Sequence, residues 1–196
     1  MVIPRPASLL RHDVLPLVLG FIALVVATLL TDALLHGLDL VWVGRYLGIP
    51  GVLLIIGSFG YSLRKRKLIA VGKPGPLLRL HERMAWAGSW LVLVHAGIHF
   101  NALLAWLAVA AMLVNVTSGL TGKFLLGRLR RRLDETRLQL RAQGLDEVAI
   151  EERLAWDSLT VDAVRQWKVV HLPIALALAV LGIAHIASVF LFWGWR

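Results

Sequence analysis

No cysteine occurs among the 196 residues of this chain. Without thiolates, the chain cannot ligate an iron–sulfur cluster, attach a haem through a Cys-x-x-Cys-His motif or form a disulfide. Metal chemistry must therefore rest on histidine or on carboxylates. Charged residues are also scarce, at 17% of the sequence, whereas 58% of the residues are hydrophobic. Such a composition excludes an ordinary soluble domain and predicts a membrane protein.

Acidic residues are the scarcer charged class, with 12 Asp and Glu against 21 Lys and Arg. A basic excess can indicate nucleic-acid binding, but here the basic residues cluster beside long apolar runs. At such positions they are accounted for by anionic lipid headgroups and by membrane topology. We therefore expect contact with membrane lipid and no nucleic-acid partner.

Long runs without charge predict five membrane-spanning helices, because about 20 apolar residues cross the hydrocarbon core of a bilayer. The run 84–122 contains no Asp, Glu, Lys or Arg and is too long for one span, so it is expected to turn near His99. Together the spans form one all-α integral membrane domain covering residues 1–196. The predicted spans are 14–36, 45–63, 79–99, 103–126 and 168–194.

Two prolines bear on the shape of these helices. Pro50, followed by Gly51, is expected to kink the second span. Pro173 is expected near the start of the fifth span, where a missing N–H costs least.

The distribution of Lys and Arg predicts the orientation of the spans. With five spans, all but two of the 21 Lys and Arg lie on the same side as the N-terminus, and the two exceptions are Arg45 and Arg196. The positive-inside rule then places the N-terminus in the cytoplasm and the C-terminus outside. We expect a multi-pass protein of a bacterial-type cytoplasmic (inner) membrane with a periplasmic C-terminus.

The segment 127–167 is the one sizeable piece between predicted spans. Its first half is basic, its second half is acidic, and leucines recur at helical spacing. These features predict an amphipathic helical loop on the inner face, with two short helices broken at Gly144. Two interpretations remain open: a hairpin lying on the inner leaflet, or a docking surface for a redox partner protein.

Four of the seven histidines form a regular pattern. His81 and His95 lie on the third predicted span, His171 and His185 lie on the fifth, and each pair is separated by fourteen residues. Fourteen helical residues turn through about 1400°, close to four full turns, and rise about 21 Å. Both histidines of a helix therefore face the same way at two depths. Since both spans run outward, His81 is level with His171, and His95 is level with His185.

Facing imidazoles at two levels suit a ligand with two axial positions. A haem iron takes two nitrogens from opposite sides of a flat macrocycle, and two parallel helices can supply them. Zinc instead prefers four ligands gathered in a tetrahedron at one depth. The pattern therefore predicts two b-type haems stacked between the third and fifth helices.

The third and fifth helices resemble the paired-histidine helices of di-haem membrane cytochromes b. Their sequences read HERMAW…LVLVHAGIHF and WKVVHLPIALALAVLGIAHI. The likeness is greatest to the ferric reductase and NADPH oxidase transmembrane domain. It implies that His81 and His171 bind the iron of an inner haem, and that His95 and His185 bind the iron of an outer haem.

The chain departs from that family in having five predicted spans rather than six. It also contains no Gly-rich dinucleotide fingerprint and no appended flavin and nicotinamide domain, which puts direct oxidation of NAD(P)H in doubt. The resemblance therefore implies an electron-transfer subunit of an oxidoreductase rather than a complete enzyme. Electrons would come from a separate protein or from quinol.

Several further residues are candidates for the haem sites. Gly88 lies midway between the histidines of its helix, where a missing side chain leaves room either for porphyrin edges or for close helix packing. His99 is one turn beyond His95 and could be a haem propionate partner, an interfacial residue or an alternate ligand. Arg79, Arg83 and Lys168 lie near the inner haem level, where they could neutralise propionates, although positive-inside topology alone also places them there.

Two classes of function follow from these residues. The first is a redox subunit that carries electrons across the membrane between a quinone pool or soluble donor and an acceptor. A quinone pocket could include Asp32 and His36, although an interfacial polar pair is the favoured interpretation of these two residues. The second class is a non-redox transporter or scaffold that uses intramembrane histidines for protons or metal.

Overall fold

A computed structural model describes residues 14–98 and 103–192; at residues 98, 125–130, 132, 155–165 and 168 the description covers the backbone. In this part of the chain the regular elements are helices, and no strand occurs, which confirms the all-α class. A π-helical turn, Thr121–Leu126, precedes α7. The α-helices are α1 Leu15–Gly37, α2 Val41–Tyr46, α3 Gly48–Ser58, α4 Gly60–Lys65, α5 Pro74–Ile98, α6 Leu103–Leu120, α7 Gly127–Ala142 and α8 Glu147–Phe192.

Four helical stretches in the described residues are long and apolar enough to cross a membrane. They are Leu15–Gly37, Val41–Lys65, Leu103–Phe124 and Val169–Phe192. Only 6–11% of each stretch is buried inside the molecule, so most of their apolar side chains point outward. A surface this apolar is incompatible with water and suits lipid acyl chains. The protein is a multi-pass membrane protein in contact with lipid.

The predicted third span, 79–99, corresponds to α5, which is not among these four stretches. With 25 residues α5 is long enough to span, but its N-terminal half carries charged and polar side chains such as Glu82. The reason lies in its position, because α5 packs against α1, α2, α3, α4 and α6. Gly88, Ser89 and Val94 are buried there. A helix enclosed by other helices needs less apolar surface than one that faces lipid.

The second span is interrupted twice, at Leu47 and at Phe59. The kink was expected at Pro50 and Gly51, but the first break lies three residues earlier. Pro50 has no N–H to donate to the Tyr46 carbonyl, and its ring clashes with that carbonyl in a regular helix. The α2 helix therefore ends at Tyr46. The Leu47 N–H donates to the carbonyl three residues earlier, that of Gly44, at 3.3 Å.

The α8 helix continues from Glu147 to Phe192 without a break, over 46 residues and about 69 Å. It thus begins 21 residues before the predicted fifth span, and Pro173 lies in its interior rather than near its start. The expectation for Pro173 was wrong. Proline costs one backbone hydrogen bond, and transmembrane helices tolerate that loss where neighbouring helices support them. The expected second short helix of the loop is therefore the first part of a long one.

The α7 helix and the start of α8 form a hairpin that turns at Gly144. Gly144 has φ +81°, a conformation that glycine adopts without strain. Asp146 caps α8 by accepting the Ala149 N–H at 2.9 Å on its carboxylate. Arg141 forms an ion pair with Glu147 at 2.8 Å, and Ile150, near the start of α8, is fully buried. The predicted break at Gly144 is present.

Candidate functional site

Contacts at the C-terminal end of α6 show which parts of α5 and α8 lie at the same height in the bundle. Lys123 of the π-helical turn forms an ion pair with Glu82 of α5 at 2.9 Å, and Gly122 contacts the indole of Trp167 in α8. Both helices continue away from this end, so they run in the same direction and antiparallel to α6. His81 and His171 adjoin these contacts and define the His81 level. The other two histidines lie fourteen residues further along each helix, about 21 Å away, and define the His95 level.

The four rings fall into two pairs, each close enough for a charge on one ring to disfavour a charge on the other. His171 interacts with His81, and His185 interacts with His95. Within the described residues, the helices that carry them have little direct packing, because α5 packs mainly on α3, whereas α8 packs mainly on α6. Paired histidines thus stand on two helices that are held apart by the rest of the bundle.

The rings of His81 and His95 are held by backbone carbonyls of the interrupted second span. His81 Nδ1–H donates to the Ser58 carbonyl at 2.8 Å, and His95 Nδ1–H donates to the Gly44 carbonyl at 3.3 Å. Ser58 is the last residue of α3, and Gly44 lies in the last turn of α2. The Ser58 carbonyl lies at a helix C-terminus, where carbonyls lack a partner one turn further along. The Gly44 carbonyl also accepts the Leu47 N–H, and its second lone pair can accept the imidazole N–H.

These two hydrogen bonds determine which ring nitrogen carries the proton. A carbonyl oxygen only accepts, so Nδ1 carries the proton in both rings, and in the neutral imidazole the lone pair is then on Nε2. Histidines that bind metals usually have this arrangement, with one nitrogen bound to a backbone or carboxylate acceptor and the other on the metal. His81 and His95 are therefore prepared to act as Nε2 ligands.

A seam of small residues brings the second span close enough for these bonds. Gly44, Gly51 and Ser58 are spaced by seven residues, and they face His95, Gly88 and His81, spaced by seven in the opposite direction. The three pairs share one antiparallel register. At its centre, a Cβ added at Gly88 would lie 2.8 Å from the Gly51 carbonyl oxygen.

The seam gives Gly88 a role in helix packing, one of the two roles that the sequence left open. Its missing side chain accommodates the backbone of α3. Gly88 is therefore a packing residue between α5 and α3, and its contact with a cofactor stays a prediction. Gly48 has a similar role beside the His95 ring, since a Cβ there would lie 2.9 Å from His95 Cδ2.

The His171 ring is held by Ser118 and Trp167. Its Nδ1 lies 2.9 Å from Ser118 Oγ. The Trp167 indole N–H donates to the Ser118 carbonyl at 2.9 Å and to Ser118 Oγ at 3.1 Å. The indole also stacks on the imidazole, with ring centroids 5.1 Å apart and an angle of 23° between the planes. Backbone, hydroxyl and aromatic contacts thus restrain this ring together.

The His185 ring has fewer restraints. Its Nδ1 is buried, and it has no hydrogen-bond partner among the described residues. The ring is half-buried on α8, and its backbone carbonyl accepts the Ser188 hydroxyl at 2.7 Å. Three of the four predicted histidines therefore have Nδ1 held by a neighbour, and the fourth does not within this part of the chain.

The other predicted site residues lie around the two levels. Arg79 and Arg83 are exposed near the start of α5, at the end of the molecule where the His81 level lies. Lys168 belongs to the backbone of α8 next to that level, and its side chain lies outside the described part. His99 also lies outside the described residues. His36 Nδ1–H donates to the Asp32 carbonyl at 2.9 Å, as an interfacial polar pair would.

Gly44, Ser58 and Trp167 are site residues that the histidine spacing alone does not reveal. A signal for the first two exists in the sequence, because the small residues at 44, 51 and 58 repeat the seven-residue spacing of positions 81, 88 and 95. Trp167 carries no such signal, since the chain has eight tryptophans and an interfacial belt accounts for them equally well.

The arrangement as a whole consists of pairs of histidines rather than of clusters of three or more metal-binding side chains. In residues 14–98 and 103–192, no three His, Asp or Glu side chains gather in a way that could hold a metal ion. A planar group with two axial positions needs only one imidazole on each side, and the donors present at each level fit that requirement.

No protein-family model, no curated protein and no solved structure matches this chain. Its class is thus defined by its own geometry, as an all-α multi-pass membrane protein with paired histidines at two levels. The likeness of α5 and α8 to the histidine helices of di-haem cytochromes b depends on those residues alone.

Proposed function

We propose that the protein is a membrane cytochrome b subunit with two b-type haems, one at each histidine level. It carries electrons across the membrane between a quinone pool or a soluble redox partner and an acceptor. The observation that supports this best is the orientation of His81 and His95, whose Nδ1 atoms donate to backbone carbonyls, so that the lone pair of each neutral ring is on Nε2, the nitrogen that would bind a metal. When bound, each haem supplies an iron that accepts and releases one electron.

The residues of the chain have separate tasks in this function. His81 and His171 would hold one haem iron, and His95 and His185 would hold the other. The small-residue seam holds α5 against α3, and Ser118 with Trp167 holds His171. At the His81 level, propionates are neutralised by the cations of that end, which are Arg79, Arg83 and Lys168. The apolar outer surfaces of the bundle exclude water from both levels.

The proposed topology has five spans, with α5 as the central one. The enclosed position of α5 supports its membrane crossing although its sequence is less apolar than the other spans. An odd number of spans places the termini on opposite sides, and the distribution of Lys and Arg then places the N-terminus in the cytoplasm of a bacterial-type inner membrane. The His81 level faces the cytoplasm, and the His95 level faces the periplasm.

The protein acts as the electron-transfer subunit of an oxidoreductase rather than as a complete enzyme. The hairpin of α7 and the first part of α8 extends from the bundle at the His81 end. It presents charged side chains that are exposed, including Glu152 and Arg153. A soluble redox partner docks on this hairpin or, alternatively, a quinone exchanges electrons within the membrane.

The absorption spectrum and haem content of the purified protein test the proposal. We expect two haems per chain and the sharp reduced bands of b-type haem. His185→Ala and His171→Ala should each reduce the content to one haem, because one axial ligand of one iron is lost. The His36→Ala variant is the control and should keep two. The His185 variant is more informative than His95→Ala, since His99 could replace His95 after a shift of one turn.

Two results would contradict the proposal. If each single variant of the four histidines retains two haems, the pairing is wrong. A colourless protein would favour the second class, a non-redox transporter or scaffold that uses its intramembrane histidines for protons or metal.

A further inference from the structure

The connection between the second span and α5 is strongly basic. Residues 64–73 include five cations and no carboxylate, and we call these five residues the cationic connection: Arg64, Lys65, Arg66, Lys67 and Lys73. The sequence contains no Asp or Glu from residue 40 to residue 81, so neither the second span nor the start of α5 supplies a neutralising carboxylate. All but Arg64 are exposed. A dense positive charge is therefore presented at this end of the molecule.

Lys67 occupies a backbone position where glycine is usual. The Lys67 N–H donates to the Arg64 carbonyl at 3.1 Å, and the Leu68 N–H donates to the Leu63 carbonyl at 3.0 Å, which together end the α4 helix. Helices that end in this way commonly have glycine at the residue with positive φ. Lys67 has φ +60°, a conformation that is strained for a residue with a side chain. The presence of lysine at such a point indicates a task for its side chain.

A hydrogen bond closes the connection into a loop. Arg64 Nε–H donates to the Gly72 carbonyl at 3.1 Å, and Gly72 has φ +88°, which glycine adopts without strain. Lys73, which follows Gly72 directly, is thereby held near the cations at the end of α4. Like charges held close together repel each other, and an anionic ligand relieves that repulsion.

The position of the loop places it in the headgroup layer of a membrane. The second apolar stretch ends at Lys65, and α5 begins at Pro74 after only eight residues. The headgroup layer is roughly 5–8 Å thick on each side of the hydrocarbon core. The hairpin of α7 and α8, in contrast, continues for roughly 30 Å beyond the apolar stretches at Phe124 and Val169. A soluble protein thus meets the hairpin, whereas the loop meets lipid.

Two exposed apolar side chains favour a lipid over an acidic protein as the partner of the loop. Leu68 and Val71 lie between the cations in the sequence, and they are 68% and 80% exposed. In water this exposure is unfavourable. At a membrane boundary, apolar side chains reach the acyl chains while lysine and arginine reach the phosphates. Basic and apolar residues together match an anionic phospholipid.

We propose that the cationic connection binds the headgroup of an anionic phospholipid, with Lys67 as a direct contact to the phosphate. The site adjoins the His81 level: Lys65 Nζ lies 5.9 Å from the centroid of the Tyr61 ring, and that centroid lies 6.0 Å from the centroid of the His81 ring. It uses none of the four paired histidines. The inference requires a membrane location and does not depend on haem.

Native mass spectrometry of the full chain in a neutral detergent measures this binding. Phosphatidylglycerol is the anionic probe, and phosphatidylcholine with the same acyl chains is the neutral one. One Lys or Arg near an anionic surface contributes about fivefold in affinity. Lys67→Gly should therefore weaken phosphatidylglycerol binding by about fivefold and leave phosphatidylcholine binding unchanged. Because glycine accepts the positive φ, this variant should not lower the melting temperature, and Lys67→Arg should retain the lipid.

Arg45→Gln is the matched control. It removes one exposed cation at the opposite end of the second span, and it should bind phosphatidylglycerol as the wild type does. The double variant Arg66→Gln/Lys73→Gln removes two charges of the connection and should weaken binding by about 25-fold, as two independent fivefold losses.

Three results would overturn the inference. Wild-type affinity in both Lys67→Gly and the double variant would leave the cations to membrane topology or to an acidic protein partner. An equal loss in Arg45→Gln would show that net charge, and not this loop, determines the binding. Displacement of the lipid by an equal concentration of inorganic phosphate would indicate a site for free anions. A colourless protein that binds the lipid as expected would overturn the proposed function alone.

Discussion

The imidazoles at the two levels depend on neighbours that have almost no side chain. His95 lies against Gly48 and donates to the carbonyl of Gly44, and His81 donates to the carbonyl of Ser58. Small residues allow a backbone to approach a ring closely enough for such bonds. The orientation and the protonated nitrogen of His81 and His95 therefore depend partly on small residues whose side chains take no part in the hydrogen bonds.

Gly48→Ala tests this dependence at one level. The added Cβ would lie 2.9 Å from His95 Cδ2, so the ring must move, at a cost of about 1–3 kcal/mol for overpacking. We expect loss of the haem at the His95 level and retention of the other, measured as one haem per chain. Gly60→Ala is the control, because nothing lies within 4 Å of a Cβ at Gly60. Two haems in Gly48→Ala would show that the contact with Gly48 is dispensable.

At the scale of elements, the interruptions of the second span lie next to the carbonyls that two of the histidines contact. Each break ends a short helix, and the last turns of α2 and α3 supply the carbonyls that His95 and His81 use. A continuous helix would have paired these carbonyls within its own ladder. In transmembrane helices, irregular backbone is tolerated where it is enclosed by protein, and here α5 encloses it.

The centre of the α3–α5 contact provides a prediction at this scale. Gly88→Leu would place a side chain where the Gly51 carbonyl lies, which forces α3 and α5 apart. We expect both haems to be bound less well, because both carbonyl bonds depend on this approach, and the free energy of unfolding to fall by about 1–3 kcal/mol. Haem content and thermal denaturation in detergent measure these effects. Gly119→Leu on α6 is the control, since no atom lies within 4 Å of that position; equal behaviour of the two variants would contradict the prediction.

At the scale of the whole molecule, the arrangement of the helices creates the two levels. The α1 helix contacts both α5 and α6, α3 supports α5, and α6 supports α8, so the two histidine-bearing helices are parallel without packing closely on each other. The levels require that α5 and α8 cross the bundle in the same direction. That condition connects the proposed haem sites with the membrane topology.

The topology can be measured with reporters. A reporter inserted at Gly144, in the exposed turn between α7 and α8, should be cytoplasmic, and a reporter fused after Arg196 should be periplasmic. Both results follow from five spans and the distribution of Lys and Arg. A cytoplasmic reporter after Arg196 would indicate an even number of spans, as the four apolar stretches alone imply, and would exclude α5 as a crossing helix parallel to α8.

The sequence by itself determined the features that are local to one helix. The fourteen-residue spacing of the histidines follows from the helical repeat, so the shared face of His81 and His95 could be predicted without a partner helix. The break at Gly144 is local as well, because glycine adopts a positive φ without strain. Apolar runs likewise indicated the four stretches of the described residues that are long and apolar enough to span a membrane.

Only the tertiary structure decided what each of these residues contacts. The packing role of Gly88, one of two that the sequence left open, follows from the direction of its Cβ towards Gly51. Hydropathy alone could not show that α5 is enclosed by other helices, since enclosure depends on where distant segments pack. The hydrogen bond of His171 to Ser118 connects residues 53 positions apart. Such contacts depend on how whole helices pack together, and no local pattern in the chain specifies that packing.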